Sequence, residues 1–518
     1  MTAEATADRA TPSFDVRRTA LGVAWWLLLA ALVVANLAVV VPGIASVRLW
    51  EDEALNLTVP LNLVRGLGYA SDGTLSGSTL TPFDVRISTG PVILLPTAGL
   101  IALGVDPVLA GRLVATLGYA GLLAALVLVG RRLGGRWAAL VAAAVPLAFE
   151  TGALPSPIQT PADVLGEVTA AAFLAAALLF VHRRPWLAGL LIGLGIQVKF
   201  IALLAVPAFA VAVLLDASGP LLARLRVTVP RVLVAALAAA APTVVFELAK
   251  LVSLGPAGYW ANLRNFAYFL LSGGQRGYEV TPADKVATML ASWNLPPELV
   301  GLLAVLLLAA GVVIAVVAWG RLRRAPRLLA TRGRSRMELA EFGTVLLVAA
   351  LGLGTYLAWW LVSRHTPAWI RHPAPGVLAF APVLAAGFVP ATRVAWQGLR
   401  SLVVRTLVAG LALVAVVALA WSVVGRVATV GSRAGVSGET LPEQRAAAEE
   451  VAALGHDELA TWWGAGVSLA VLSGAHAGLT DAGAATADDP TIWSGTPRIE
   501  DCDVELTTGR YTVCAAPR

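Results

Sequence analysis

The chain has 518 residues, of which 58% are hydrophobic and only 14% are charged, and its formal net charge is +6. Soluble proteins carry about a quarter charged residues and their helices alternate polar and apolar faces, so this composition excludes a soluble enzyme. Only three of the 38 basic residues are lysines, and the arginines lie in short loops between apolar runs, which argues against nucleic acid binding. The recurring apolar runs predict an all-α polytopic membrane protein.

The first apolar run, ALGVAWWLLLAALVVANLAVVVPGI, follows a polar segment that carries Arg9, Arg17 and Arg18. It lacks the small-residue cleavage site of a signal peptide, so we interpret it as a signal anchor with a cytoplasmic N-terminus. The preference for Arg over Lys, together with abundant Ala and Gly, is typical of a high-GC bacterial genome. We therefore expect a multi-pass protein of the bacterial plasma membrane.

Three acids in a row, Glu51, Asp52 and Glu53, follow this span in the segment RLWEDEALNL. The next apolar run, 90–105, is short and contains two prolines. If it crossed the membrane, the arginines at 131–136 would face outward, against the rule that basic loops stay cytoplasmic. We therefore predict an interfacial or re-entrant helix at 90–105, inside a first external loop that runs from about 44 to 107.

The remaining basic loops alternate with apolar runs that have the length of membrane spans. Together with the first run they predict about eleven transmembrane helices; the later ten lie near 108–130, 137–153, 162–181, 186–198, 200–216, 232–253, 298–319, 342–362, 374–390 and 402–425. Two of them, 186–198 and 200–216, are short for a core of about 30 Å. Either Lys199 separates two short helices or one long tilted helix buries it, and the alternation of loops favours two helices.

If the basic loops are cytoplasmic, most of the polar residues that stand out in the sequence lie in external loops. Asp163 and Glu167 are spaced i, i+4, which predicts a shared face on a helix that starts at Pro161. An alternative is that these acids only complement the dipole at a helix N-terminus. Further along the chain this side carries Lys199, Arg264, Arg371 and His372, and the pair Glu247 and Lys250 near the outer end of its span.

Acids and bases gathered on one membrane face indicate a site, because ionisable groups at membrane depth are costly and usually functional. A proton-coupled transporter would instead carry carboxylates in the middle of its helices. A carboxylate can serve as general base toward an acceptor hydroxyl, and Lys or Arg can hold a phosphate leaving group. This combination suits an enzyme that uses a lipid-phosphate-linked donor.

The tail, 427–518, differs from the rest in composition. It holds five arginines, no lysine and thirteen acids, so its net charge is 5 − 13 = −8. The segment LPEQRAAAEEVAALG predicts an amphipathic helix, and CDVELTTGRYTVC predicts a hairpin. We therefore expect a small α/β C-terminal domain outside the membrane, where Cys502 and Cys514 can form a disulfide; two free thiols are the alternative.

Several segments, taken in order, resemble the GT-C superfamily of polyprenyl-phosphate-sugar-dependent glycosyltransferases, and especially the protein O-mannosyltransferases and the lipid A aminoarabinose transferases. The resemblance covers most of the membrane region. It rests on Asp52-Glu53, STGPVILLP (88–96), AGRLVATLGYAGLLAALVLVGRRLGGRWAALVAAAVP, GEVTAAAFLAAALLF, GLLIGLGIQVKF and RHPAPGVLAFAP.

The resemblance implies a GT-C fold and specific residue roles. Asp52 would be the catalytic base or an acceptor-binding acid, with Glu53 beside it, and Asp163 or Glu167 would shape the acceptor site. Of the remaining residues of this segment, we expect Glu51 to be a solvated flank and Arg48 to screen the acids. The donor phosphate would contact Lys199 and Arg371-His372, with Arg264 as a further candidate. Asn56 replaces a Tyr that is frequent in relatives, and Thr89-Gly90-Pro91 replaces a usual His-Pro-Pro, so the family's specificity does not carry over.

The sequence hypothesis is therefore an inverting glycosyltransferase that moves a sugar from a polyprenyl phosphate to a glycan, lipid or protein acceptor of the cell envelope. No cofactor is firmly predicted, although four acids, Glu51, Asp52, Asp163 and Glu167, are candidates for a divalent metal site. A transporter or lipid-linked-sugar flippase is the alternative, and a structural membrane subunit is a third.

Overall fold

The computed structural model describes residues 16–72, 80–149, 158–215, 221–272, 280–324, 337–363, 368–398, 401–432, 438–479, 489–495 and 502–515. Helices dominate these ranges. In chain order they are α1 (Val16–Ala45), α2 (Glu51–Val64), α3 (Pro91–Ala102), α4 (Pro107–Gly134), α5 (Arg136–Ala148), α6 (Glu167–Ala177), α7 (Pro185–Val198), α8 (Val206–Leu215), α9 (Leu221–Ser272), α10 (Pro282–Ala291), α11 (Pro297–Arg324), α12 (Met337–Val362), α13 (Ala374–Trp396), α14 (Leu402–Ser432), α15 (Leu441–Ala452) and α16 (Ala465–Ser473).

Eleven of these helices lie where the sequence predicts spans: α1, α4 to α9 and α11 to α14. Seven of the described helices are long and apolar enough to cross a membrane, and the others in this set are shorter apolar helices. The chain is therefore a multi-pass membrane protein. Helix α13 lies at the centre, where it packs against α4, α5, α6, α11 and α12.

The loop between α1 and α4 contains α2, α3 and a short antiparallel pair, β1 (Ala70–Ser71) with β2 (Thr81–Pro82). The expected short helix at 90–105 is α3, which packs against α2 and α4. Helix α2 is buried along most of its length although it is too short to be a span. It therefore lies between the membrane helices and another part of the protein.

The expectation of a helix that starts at Pro161 is wrong. Residues 161–166 form turns, and α6 begins at Glu167 after Gly166, whose φ is +89°. This left-handed conformation favours glycine and ends the turns before the helix can extend backward. Asp163 therefore lies in a loop, and it does not share a helix face with Glu167.

Lys199 separates two helices, in agreement with the interpretation that the alternation of loops favoured. Helix α7 ends at Val198, Lys199 is extended (φ −151°, ψ 117°), and a 3₁₀ helix, Phe200–Ala205, leads into α8. Its extended backbone pairs with Thr89 in an isolated antiparallel bridge. The break in the helix thus brings Lys199 against the segment that precedes α3.

The C-terminal region contains a five-stranded sheet with the order β4-β3-β5-β7-β6, made of β3 (Glu458–Thr461), β4 (His476–Leu479), β5 (Thr491–Ser494), β6 (Val504–Thr508) and β7 (Tyr511–Cys514). Strands β3, β4 and β5 are parallel, and β6 and β7 form the expected hairpin. The disulfide Cys502–Cys514 joins the two ends of this hairpin. Helix α14 continues to Ser432, so this domain begins later than position 427.

The C-terminal domain packs directly on α2, mainly through α16. The side chain of Gln444 bonds to both the amide and the carbonyl of Leu49, two residues before α2 begins. At the other end of α2, Arg65 donates to the carbonyl of Gly474, and Asp72 accepts from the amide of Ala477. Helix α2 is therefore held between the membrane helices and the C-terminal sheet.

Candidate active site

The first turn of α2 carries Glu51, Asp52 and Glu53, where carboxylates favour the positive end of the helix dipole. Glu53 also accepts a hydrogen bond from the backbone amide of Trp50 at 3.2 Å, which caps the helix. This local chemistry explains why the helix begins here. The three carboxylates nevertheless face three different partners.

Glu53 is fully buried and forms an ion pair with Arg112 of α4 at 3.1 Å. Arg112 also donates to the backbone carbonyls of Gly43 and Val47 at 2.8 Å each. Glu53 accepts the amide of Val164 at 3.1 Å. The pair therefore joins the end of α1, the start of α2 and the loop before α6, which makes Glu53 a structural link inside the candidate site.

Arg112 is a residue that the sequence analysis missed. It lies about one turn into a span that is otherwise apolar, and it is fully buried. An arginine inside an apolar span is costly unless it is paired or functional. That signal was present in the sequence, and it predicts a buried partner although not which one.

Glu51 is buried and paired with Arg48, so the expectation that it is a solvated flank is wrong. Burial raises the pKa of Glu51, and the charge of Arg48 opposes that shift. Arg48 also lies over the ring of Trp50, at 4.4 Å from its centroid. The predicted screening by Arg48 is therefore a direct ion pair.

Asp52 is the accessible acid of the three, with 22% of its side chain exposed. Its carboxylate lies 3.1 Å from a guanidinium nitrogen of Arg371 and accepts a hydrogen bond from the indole of Trp50 at 3.0 Å. A carboxylate that is both oriented by two donors and partly open is suited to accept a proton from an incoming hydroxyl.

Asp163 organises the loop before α6. It accepts hydrogen bonds from the amides of Gln159 and Thr160 and from the hydroxyl of Thr160. Burial, and then the negative charge of Glu53, raise the pKa of Asp163 to about 7, against the charge of Arg112. One guanidinium thus stands near two buried carboxylates.

Glu167 and Lys199 form a buried ion pair with an N–O distance of 2.9 Å. Lys199 also donates to the hydroxyl of Ser88 at 2.8 Å and to the carbonyl of Leu165 at 2.7 Å. Its ammonium group therefore contacts two segments, the one before α3 and the one at the start of α6. The charges of Arg371 and Asp52 act on Lys199 as well, so the two ion pairs belong to one electrostatic cluster.

Asn56, Thr89 and Gly90 form the junction below Lys199. Asn56 donates to the hydroxyl of Thr89 and to the carbonyl of Val164, and the same hydroxyl donates to the carbonyl of Leu165. The amide of Gly90 donates to the carbonyl of Val198 at 2.8 Å. Asn56 and Thr89 therefore connect α2, the segment before α3 and the loop before α6.

Arg371 and His372 lie in the turn before α13. The guanidinium of Arg371 stacks on Trp369 at 4.8 Å from the ring centroid, and His372 packs against Trp369 and Trp359. The preceding α12 is capped by the buried Lys285, which donates to the carbonyls of Trp360 and Ser363. A cation at a helix C-terminus is favourable, and here it anchors the segment that leads to Arg371.

His372 contributes no positive charge at neutral pH. Burial, followed by the charges of Arg371, Lys199 and Lys285, holds the pKa of His372 well below its ordinary value. Its Nδ1 atom is buried without a hydrogen-bond partner among the described residues. The neutral imidazole can therefore exchange hydrogen bonds with a ligand, but it cannot attract phosphate by charge.

An apolar cavity of about 520 Å³ adjoins the cluster. Ser88 and Gly90 line one part of it, and the rest is mostly apolar wall from α7, the 3₁₀ helix and α9; among these wall residues are Val198, Phe200, Val244, Phe246, Phe266 and Leu270. The hydroxyl that Lys199 contacts thus lies at the border between charged and apolar surfaces.

Arg264 is exposed on α9 and is not among the residues that line this cavity. The pair Glu247 and Lys250, in contrast, forms as expected, with an N–O distance of 2.7 Å, and lies on the cavity wall. The structure therefore brings together Asp52, Glu167, Lys199, Arg371 and His372, but it does not bring Arg264 to them.

The four acids considered for a metal bind separate partners: Arg48, Arg371, Thr160 and Lys199. Within the described ranges, no group of three or more His, Cys, Asp or Glu side chains is arranged to hold a metal ion. The chemistry that these side chains offer is an oriented carboxylate beside two cations.

Comparisons with known proteins identify structures that share this fold. No protein-family model and no curated protein sequence matches the chain. The structure matches ArnT of Cupriavidus metallidurans in the apo state with a TM-score of 0.53 and 14% identity, covering 97% of this chain and 100% of that chain. It matches the same protein bound to undecaprenyl phosphate with a TM-score of 0.55 and 12% identity, over 98% of this chain and 100% of the other.

The apo oligosaccharyltransferase of Archaeoglobus fulgidus is also similar, with a TM-score of 0.49 and 16% identity over 87% of this chain and 64% of that one. Identities of this size establish the fold alone, and one fold can host several activities. The chain has the GT-C fold, as the resemblance implied.

Proposed function

We propose that this chain of GT-C fold is an inverting glycosyltransferase of the bacterial plasma membrane. It transfers a sugar from a polyprenyl-phosphate donor to a hydroxyl of a glycan, lipid or protein of the cell envelope. The observation that carries the proposal is the ion pair of the partly open Asp52 with Arg371, in one electrostatic cluster with Lys199.

The reaction assigns one role to the acid and another to the cations. Asp52 accepts the proton of the acceptor hydroxyl while the oxygen of that hydroxyl attacks the anomeric carbon of the donor. The bond from that carbon to the phosphate oxygen breaks, and the lipid phosphate leaves with the electron pair. Because its second pKa is near 6, it leaves as a near-dianion and needs positive charge rather than a proton.

Lys199 and Arg371 supply that charge. Preorganised cations aimed at developing negative charge stabilise a transition state without reorganisation. Lys199 is held by Glu167, Ser88 and Leu165, so its ammonium group is already fixed before the donor arrives. The neutral His372 adds a hydrogen bond to the phosphate. Glu167 keeps the ammonium group of Lys199 in place, and Asp163 keeps the loop before α6 in place.

The apolar cavity supports a lipid donor. Its aliphatic and aromatic wall borders the hydroxyl of Ser88, which Lys199 contacts, so a phosphate at the cluster would have its hydrocarbon chain directed into apolar surface. ArnT, the neighbour in fold, has been solved with undecaprenyl phosphate bound. Both points support a polyprenyl-phosphate donor for this chain.

The membrane side follows from the arginines. If the loops at 131–136 and 182–185 are cytoplasmic, the odd number of spans between each of them and the site-bearing loops puts Asp52, Lys199 and Arg371 on the outer face. The N-terminus is then cytoplasmic and the C-terminal domain lies outside the cell.

The test compares envelope glycans, by mass spectrometry, from cells with the gene, without it, and with the Asp52→Asn variant restored. We expect one sugar type to be lost from a glycan, lipid or protein without the gene and not regained with the variant. Native mass spectrometry of the purified protein should also show bound polyprenyl phosphate. Identical glycans in all three strains would contradict the proposal.

A further inference from the structure

The parallel strands of the C-terminal domain have a switch point between β3 and β5. The chain leaves β3, passes through α16 and returns as β4 on one side of β3, whereas β5 pairs on the other side. Loops that diverge from the carboxyl ends of such neighbouring strands open a crevice, which is the usual ligand position in parallel α/β sheets.

Three tryptophans mark this edge. Trp462 and Trp463 follow β3 directly, and each is 43% exposed. Trp493, near the end of β5, lies level with Trp462, and their ring centroids are 6.0 Å apart. Exposed aromatic pairs are uncommon on a domain surface that has no partner. We call Trp462, Trp463 and Trp493 the tryptophan platform.

A buried donor at the same place points to a polar ligand. Trp493 is only 5% exposed, yet its indole Nε1 has no hydrogen-bond partner among the described residues. Tryptophan N–H groups usually find an acceptor when they are buried. An oxygen atom of a ligand that stacks on Trp462 would satisfy this donor.

Exposed aromatic side chains commonly contact either a membrane surface or a sugar, and the charge around them distinguishes these two partners. Interfacial tryptophans of a membrane anchor are normally accompanied by Lys or Arg that attract anionic lipid. The tail that carries the platform has no lysine and a net charge of 5 − 13 = −8. An anionic bilayer surface would be repelled, whereas a neutral sugar, whose C–H face stacks on the electron-rich face of an indole, would not.

The platform is connected to the catalytic helix. Tyr511, which pairs with Ser494 next to Trp493, donates to Glu439 at 2.6 Å. The adjacent Thr440 pairs with Val47, and the next amide bonds to the carbonyl of Ser46. The edge that bears the platform is thus tied to the segment that leads directly into Asp52.

We propose that the tryptophan platform binds a neutral oligosaccharide, and that this oligosaccharide is the acceptor chain on which the membrane site acts. The acceptor role rests on the proposed function, whereas the sugar-binding role does not. Between the three acceptor classes, the inference selects a glycan. The platform would hold the chain outside the catalytic centre while its terminal hydroxyl approaches Asp52.

The test measures binding of neutral pentose and hexose oligosaccharides to the full-length protein in lipid nanodiscs by isothermal titration. We expect Trp462→Ala and Trp463→Ala each to weaken binding about tenfold, because aromatic anchors dominate such contacts. Trp493→Phe, which removes only the N–H, should weaken it about threefold. Trp421→Ala, a matched change at an exposed tryptophan of α14, should have no effect.

A second measurement distinguishes sugar binding by the platform from insertion of its tryptophans into the bilayer. Brominated phospholipids in the nanodisc quench tryptophans that enter the membrane, and the extent of quenching should be the same with and without Trp462 and Trp463. Equal oligosaccharide affinity in all variants, or quenching that decreases with Trp462→Ala, would overturn the inference.

Failure of the inference and failure of the proposed function give different results. The Asp52→Asn variant should bind oligosaccharide normally while it transfers no sugar. If the wild-type protein binds oligosaccharide at the platform but catalyses no transfer, the proposed function and with it the acceptor role are contradicted, while the sugar-binding role stands. Transfer that proceeds with an unchanged acceptor KM in Trp462→Ala would contradict the acceptor role alone.

Discussion

Asp52 and Arg371 lie 319 positions apart in the chain, and their side chains meet at 3.1 Å. The contact joins the first turn of α2 to the turn before α13. Arg371 also stacks on Trp369, so one face of its guanidinium is fixed while its nitrogens remain directed at the carboxylate. The anionic phosphodiester of an arriving donor would compete for the same donors of Arg371, which would release Asp52 to accept a proton.

The first prediction concerns Asp52. Asp52→Asn should lower kcat at least about a hundredfold, because an amide cannot act as a base, while the protein elutes as a monodisperse species in detergent. Glu51→Gln is the control, since its carboxylate faces Arg48 rather than the opening, and it should retain transfer within about tenfold. Normal turnover of the Asp52 variant would remove Asp52 from the mechanism.

The second prediction concerns Lys199. Replacing Lys199 alone would leave Glu167 as an uncompensated buried charge, which costs about 3–5 kcal/mol. The informative variant is therefore Lys199→Met combined with Glu167→Gln, which removes both charges. We expect its donor KM to rise at least about tenfold while the acceptor KM changes little, because only the donor carries a phosphate.

Two controls accompany that variant. Lys199→Arg keeps a positive charge beside Glu167 and should therefore retain most of the donor affinity. Thermal unfolding of all three proteins shows whether the double variant is folded. An unchanged donor KM in a folded double variant would argue against a phosphate-binding role for Lys199.

The third prediction separates Glu53 from catalysis. Glu53 pairs with Arg112 in a site without solvent exposure. Glu53→Gln should destabilise the protein by about 3–5 kcal/mol because it leaves the guanidinium buried without its counter-charge. Adding Arg112→Met should recover part of that loss. If the single variant has the wild-type unfolding temperature but no activity, Glu53 acts in the chemistry instead.

The fourth prediction uses a glycine at the junction below Lys199. A Cβ added at Gly90 would overlap the carbonyl oxygen of Gln197, which is backbone and cannot move aside cheaply. Gly90→Ala should therefore lower the unfolding temperature and reduce transfer. Gly99→Ala in the same helix α3 meets nothing within 4 Å and should be neutral or slightly stabilising. Equal behaviour of the two variants would contradict the close approach.

The fifth prediction is a pH dependence of domain docking. The hydrogen bond to Asp72, which lies 3.0 Å from the His476 ring, raises the pKa of that imidazole. A raised pKa in the docked state means that protonated His476 stabilises docking. This stabilisation is complete below the ordinary pKa near 6.5 and is lost as the pH rises through the raised pKa. Limited proteolysis of the C-terminal domain should therefore be slower at about pH 6 than at about pH 8.

His476→Gln is the matched variant for that experiment. It keeps a hydrogen-bond donor but cannot titrate, so the difference between the two pH values should disappear. A difference that persists in this variant would assign the pH dependence to another group.

The helices were predictable because hydrophobic length and arginine-bearing loops depend only on local composition. The break at Lys199 also followed from the alternation of loops. The start of α6 was not predictable from i, i+4 spacing, because the left-handed Gly166 ends the preceding turns. Hydrophobic patterns contain no information about such single backbone conformations.

The candidate site was predictable in its residues but not in its pairings. The sequence identified Asp52, Lys199 and Arg371, yet which carboxylate meets which cation depends on contacts between distant segments. Glu51 and Glu53 are both buried, and what separates them is the partner of each, Arg48 for Glu51 and Arg112 for Glu53. Arg112 was difficult for a different reason: a single charge in an apolar span predicts that a buried partner exists, but not which residue it is.

The order of synthesis gives the clamp on α2 a consequence for biogenesis. Leu49 emerges from the ribosome 395 residues before Gln444, the side chain that bonds its backbone. At about 5–20 residues per second, this interval lasts roughly 20–80 s. During that time the acid-bearing helix lacks one of its two packing surfaces. Under the proposed function, a truncated or half-inserted chain could not assemble the geometry around Asp52, and transfer would begin only after the last translated domain has docked.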